Sequence, residues 1–161
     1  MPGFSTCLWL ADQAEEAAAF YVAAFRHGGR PAEQGRMLRA GSAGPSPPGS
    51  VILATVTLDG QELQLLNGNP QFQPNHAVSL SITCEDQGEV DRFWEALGEG
   101  GKEVACGWVT DRYGLSWQVV PRRLPELLTD PDPARAARAM KAMMGMVKID
   151  VAALERAVDG G

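Results

Sequence analysis

A chain of 161 residues that is 45% hydrophobic and 21% charged has the composition of one folded domain, or of two small modules sharing a core, and not of a disordered segment. Its formal net charge of −6 and pI near 4.9 leave no electrostatic footprint for nucleic acid or for an anionic membrane. Three cysteines (Cys7, Cys84 and Cys106) show no short pair spacing, which predicts reduced thiols in a cytoplasmic protein. No apolar run is long enough to span a bilayer.

In chain order, Phe4 to Leu10 predicts a first strand. Asp12 and Glu15 have capping-box spacing, and Ala17, Phe20, Tyr21, Ala24 and Phe25 form one apolar helical stripe. His27-Gly28-Gly29 ends that helix. A short strand is expected near Gly35 to Arg39. Ala40 to Ser50, rich in Pro, Gly and Ser, predicts a loop. Val51 to Leu58 and Glu62 to Leu66 read as strands joined at Asp59-Gly60, a strong hairpin signal. Asn67-Gly68-Asn69-Pro70, continuing to Asn75, is turn chemistry that separates this first module from the next.

The order then repeats. Val78 to Cys84 is a strand, and Asp86 caps a helix with Val90, Phe93, Trp94 and Leu97 on its apolar face. Glu103 to Val109 and Leu115 to Val120 are strands around an Asp111 to Gly114 turn. The echo extends to sequence: Gly60 and Gly114 each precede a Gln by four residues and lie 54 apart, whereas Asp12 and Asp86 lie 74 apart. A duplicated module with 20 extra residues in its first copy accounts for both offsets. Past Pro121, Leu124 to Leu128 forms a helical turn. Pro133 suits a first helical position, Ala137, Met140, Met144 and Val147 form a stripe, and Asp150 caps a last helix to Val158. The Met-rich face of Met140, Met143, Met144 and Met146 suits core or subunit packing.

The fold class is therefore α+β, a single 161-residue domain. It comprises a first βαβββ module (1–68), a second (76–121) and a C-terminal helical extension (122–161). Cavity-lining candidates are Trp9, Gln64, Asn67, Cys106, Trp108, Ser116 and Gln118, which are polar groups among aromatics suited to a small, partly aromatic molecule. Several have plainer readings. Asn67 before Gly68 is a common turn former, Cys106 lacks a His at a telling spacing, and Trp9 and Trp117 have an alternative as core facing the helices, Trp117 because it neighbours Gln118. A Ser79, His76 and Asp86 triad is suggested by composition alone.

The combination of Leu8-Trp9-Leu10, Leu58-Asp59-Gly60-Gln61, Cys84-Glu85-Asp86-Gln87, Cys106-Gly107-Trp108 and Gly114-Leu115-Ser116-Trp117-Gln118-Val119-Val120-Pro121 resembles the PhnB-like branch of the vicinal-oxygen-chelate superfamily. That superfamily includes glyoxalases, bleomycin-resistance proteins and extradiol dioxygenases. The branch often carries a demethylubiquinone-methyltransferase-like label. The resemblance implies a curved eight-stranded sheet around a cavity, a homodimer, and no settled reaction. Methyl transfer has no support from a Gly-rich strand-to-helix turn.

Metal-using relatives take a carboxylate from the last strand of a module and further ligands from the first strands. Here Gln118, mirrored by Gln64, falls at the carboxylate position, and the first-strand positions fall near Thr6 and Ser79. His27 sits at a helix end and His76 misses the strand register. The expectation is a metal-free protein without a cofactor that binds a small-molecule ligand. The alternatives are a divalent-metal-dependent lyase, isomerase or dioxygenase, and a non-catalytic structural or interaction protein.

Overall fold

The computed structural model describes residues 3–69 and 71–160; Pro70 of the predicted turn lies outside them. Two compact units divide the chain, Met1–Gln73 and Pro74–Gly161, and each repeats the βαβββ order.

In the first unit, β1 (Thr6–Leu10), α1 (Ala14–Gly28), β2 (Ala32–Arg39), β3 (Val51–Leu58) and β4 (Gln61–Asn67) build a four-stranded sheet in the order β1-β4-β3-β2. β1 runs parallel to β4, and the other neighbours are antiparallel. The Asp59-Gly60 hairpin forms as predicted, with φ of 49° and 81°, because a two-residue turn of this hand needs positive φ at both central positions. α1 buries Ala17, Tyr21 and Phe25, and each aromatic so buried contributes about 1.5–3 kcal/mol of transfer free energy.

Two local expectations change here. Asp12 makes no capping box: the N-cap residue is Gln13, without a side-chain cap bond. The Ala14 N–H donates instead to Asn67 Oδ1 at 2.9 Å, from β4. β2 is also longer than Gly35 to Arg39, because a bulge between Gln34 and Met37 carries the strand past the glycine. A Cβ at Gly35 would stand 2.4 Å from Thr55 Oγ1, and that hydroxyl accepts the Arg36 N–H at 2.8 Å.

The second unit has β5 (Ser79–Cys84), α2 (Gln87–Gly98), β6 (Lys102–Glu103), β7 (Trp108–Thr110) and β8 (Ser116–Pro121). They form a sheet in the order β5-β8-β7-β6. Asp86 caps α2 as predicted, accepting the Glu89 N–H at 2.8 Å. The strand expected from Glu103 to Val109 is broken. Cys106 and Gly107 take φ of 59° and 81°, and their N–H groups donate to Met146 O and Val147 O at 2.8 and 2.7 Å. The C-terminal extension thus takes hydrogen bonds that a continuous strand would have made within the sheet.

That extension holds α3 (Arg123–Leu128), α4 (Pro133–Met144) and α5 (Val151–Val158), with Asp132 and Asp150 capping the last two. Leu124, Leu127, Ala139, Ile149, Leu154 and Val158 form its core, with Ala142, Met143 and Met146 packed against it. The predicted stripe of α4 faces the other way, since Met140, Met144 and Val147 are exposed. Both stripes have helical spacing, and the buried one contains Ala139 with Ala142 and Met143 packed beside it.

Candidate functional site

Pleating sends alternate residues to opposite faces of each sheet, and cross-strand partners share a face. In the second unit, Val109 and Trp117 are buried, and Trp94 of α2 donates to Glu103 Oε1 at 2.6 Å. These residues mark the face covered by α2. The register then places Ser81, Gln118 and Trp108 in one row of the opposite, open face. Ser79, Ser116, Thr110 and Lys102 form the neighbouring row.

The first unit has matching rows. Cys7, Gln64 and Thr55 form one, and Glu62, Thr57 and Glu33 the next. A third row crosses the whole sheet and is apolar: Trp9, Leu66, Leu53 and Leu38. Trp9 and Leu38 are 42% and 51% exposed, so this row is not covered by the helix. The Trp9 indole is seated over Gly68, whose missing Cβ would lie 2.5 Å from Nε1.

Gln64 and Gln118 make the same bond in each unit. Gln64 Nε2 donates to Ser5 Oγ at 2.8 Å, and Gln118 Nε2 donates to Ser79 Oγ at 2.9 Å. The first-strand hydroxyl is therefore Ser5 and not the expected Thr6, which pairs with Leu63 on the helix side. Each amide directs one of its two N–H groups to the serine; Gln64 Nε2 also stands 3.4 Å from Glu62 Oε1, and each glutamine keeps a neutral carbonyl oxygen. In each unit the pair offers one amide oxygen and one hydroxyl, neither of them charged, and that pair by itself does not fit a divalent ion. Among the described residues, no group of three or more His, Cys, Asp and Glu could hold a metal elsewhere.

Of the seven candidates, Trp9 and Gln64 share the open face of the first unit, and Trp108 and Gln118 share that of the second; Ser116 has the same sheet side by register but is itself buried. Asn67 lies on the helix side. Its Oδ1 caps α1 and its Nδ2 donates to Val51 O at 3.0 Å, so both ends of the amide are spent on the fold. Cys106 sits in the loop between β6 and β7. Cys7, which was not a candidate, is in the Gln64 row, and partial burial raises its thiol pKa. Trp117 is core, as expected, with Nε1 donating to buried Asp111 Oδ2 at 2.8 Å.

The Ser79, His76 and Asp86 triad does not assemble. Ser79 receives Gln118, Asp86 caps α2, and His76 Nδ1 is hydrogen-bonded to Ser116 Oγ at 2.8 Å. The His76 ring also meets Trp108 edge-on at 6.2 Å between centroids. Neither His76 nor Lys102 was singled out for the open face from the sequence. His76 reaches Ser116 from a turn outside the strand, where periodicity gives no signal, and Lys102 belongs to a strand of only two residues. A separate surface cleft of about 370 Å³ in the first unit is lined by Arg26, Pro31, Ala32, Glu33, Thr57 and Gly60 and contains none of the candidates.

Comparison with known proteins decides the family. The family described as 3-demethylubiquinone-9 3-methyltransferase matches residues 2–120. A Bacillus cereus structure, described as a 3-demethylubiquinone-9 3-methyltransferase of PhnB type, is 34% identical with a TM-score of 0.62, over 74% of this chain and 98% of its own. The chain belongs to the PhnB-like family of the vicinal-oxygen-chelate superfamily. A Pseudomonas aeruginosa protein shares the PhnB-like fold at 23% identity and a TM-score of 0.57, over 73% of this chain and 96% of its own. The fosfomycin resistance protein FosX from Listeria monocytogenes, in a complex with Mn(II) and 1S,2S-dihydroxypropylphosphonic acid, shares the fold at 15% identity and a TM-score of 0.55, over 74% of this chain and 92% of its own. No curated protein matches this PhnB-like chain. No helix among its described residues is long and apolar enough to cross a membrane.

Proposed function

We propose that this PhnB-like protein binds a small organic molecule on its open sheet faces and does so without a divalent metal ion. The observation that carries the reading is the repeated pair Gln64 to Ser5 and Gln118 to Ser79. A glutamine that replaces a last-strand carboxylate offers a neutral oxygen and two N–H groups, and here one N–H is committed to a serine. Such a pair can orient a ligand by hydrogen bonding but brings no charge to a metal. Trp9 and Trp108 on the same faces supply flat apolar surface.

Elemental analysis of protein purified without chelator tests this directly. Iron, manganese, nickel and zinc are each expected far below one equivalent after dialysis. Near-stoichiometric metal that resists dialysis overturns the reading and favours a metal-dependent lyase, isomerase or dioxygenase. The same reading takes the chain as one cooperative domain that works in the cytoplasm as a homodimer. A single calorimetric transition and a dimer mass by light scattering are expected, and two separated transitions or a monomer mass would remove those parts of it.

A further inference from the structure

We infer that the open face of the second unit is selective for a small planar acid, with the carboxylate at the Lys102 end and the ring against Trp108. This rests on the reading that the open faces take a small organic molecule, and it adds the charge class of that molecule.

The row Ser79, Ser116, Thr110 and Lys102 crosses the sheet to an ammonium on edge strand β6. Ser79 Oγ accepts Gln118 and Ser116 is buried with its Oγ bonded to His76, so Thr110 and Lys102 are the members left to meet a ligand. Strands lie about 4.8 Å apart, so Lys102 is based about 5 Å from Thr110 and about 10 Å from Ser116, within reach of its flexible four-carbon stem. No carboxylate shares this face by register: Glu103 turns to α2 and accepts the Trp94 indole N–H. Buried Asp111 accepts the N–H groups of Tyr113 and Leu115 and the Trp117 indole N–H. Lys102 makes no ion pair to a described residue. His76 stands at the other end of the row, with Nδ1 tied to Ser116 Oγ. That leaves Nε2 as the ring nitrogen for a ligand.

The duplicated row of the first unit shows that this polarity is not imposed by the fold. Glu62 stands where the second unit has Ser116, and Glu33 stands where it has Lys102. One copy of the row therefore carries two carboxylates and the other an ammonium and no carboxylate. An ammonium beside the Thr110 hydroxyl, unopposed by a carboxylate in its row, favours an oxyanion over a neutral or cationic group of the same size.

The test compares benzoate, benzamide and benzylammonium, matched in ring and size, by ligand-observed NMR on the full chain at low salt. Benzoate is expected to bind about tenfold tighter than benzamide, with benzylammonium weakest. Lys102→Gln, a change at an exposed edge position, is expected to abolish the benzoate preference while benzamide binding stays. Trp108→Leu is expected to weaken both by a similar factor. Benzamide or benzylammonium binding as tightly as benzoate overturns the inference, as does an unchanged preference in Lys102→Gln, and either result leaves the small-molecule reading standing. Binding of none of the three probes sinks that reading and this inference with it.

Discussion

The two units share a backbone plan and differ in what they put on it. Gln64 and Gln118 hold the same bond to Ser5 and Ser79, yet the rows beside them diverge. The first unit has an apolar row, Trp9, Leu66, Leu53 and Leu38; the second has only Thr83 and Val120 at the matching place. The turn between the last two strands diverges too. The first unit uses Asp59-Gly60, with Leu63 as core beyond it. The second uses a longer turn in which buried Asp111 holds Trp117. On the faces turned away from the helices the two units keep the glutamine–serine bond, while the rows beside it carry different chemistry.

The largest test of that comparison is Asp111→Ala. It strips the partner from the Trp117 indole and from the N–H groups of Tyr113 and Leu115 in a buried turn, at an expected cost of about 3 kcal/mol or more. Chemical denaturation measures it. Gln118→Ala, one residue from Trp117 but on the open face, is expected to cost about 1 kcal/mol or less. Comparable losses from the two would mean that the faces are not distinct in role.

The helix caps come next. α2 is capped locally by Asp86, and α1 by Asn67 from across the unit. Asn67→Ala removes the cap and the bond to Val51 O, for an expected loss of about 1–2 kcal/mol. Asp86→Ala should cost about 1 kcal/mol. Asp12→Ala is expected to be near neutral, within about 0.5 kcal/mol, although Asp12 is the sequence counterpart of Asp86. Urea midpoints of the three variants rank them, and a large loss in Asp12→Ala would restore the local cap.

The smallest effect concerns the extension, which only the second unit carries. Asp91 is held below the usual carboxylate range, first by the Lys148 ammonium at 2.6 Å and then by Gln87. A carboxyl depressed in the folded state adds stability above its unfolded pKa of about 4 and loses it as pH falls through the folded value. The pair is exposed, so the effect is modest. Lys148→Met should flatten the acid side of the stability curve, measured as urea midpoints from neutral pH downward. An unchanged acid limb would show that the pair contributes nothing.

Within the site, the residues recoverable from sequence were those inside strands. Gln64, Gln118, Ser116, Trp108 and Trp9 sit where period-two alternation and the repeat put them. Ser5, His76 and Lys102 were not recoverable in the same way. The first differs from Thr6 by one position, and a one-residue shift reverses the face. The second reaches in from a turn, and the third lies in a strand too short to show a period.

The sequence alone determined the duplication, the family, the Asp59-Gly60 hairpin, the helix start at Pro133 and the caps at Asp86 and Asp150, because each is written in residues within a few positions of one another or in a repeat that needs no folding to be seen. Tertiary structure alone decided four other features. It put Asn67 on the end of α1, split the strand at Cys106 in favour of the extension, buried Ala139 instead of Met140 on α4, and brought His76 to Ser116. In each case two local patterns were equally satisfied, and contact with a segment distant in sequence made one of them lower in free energy.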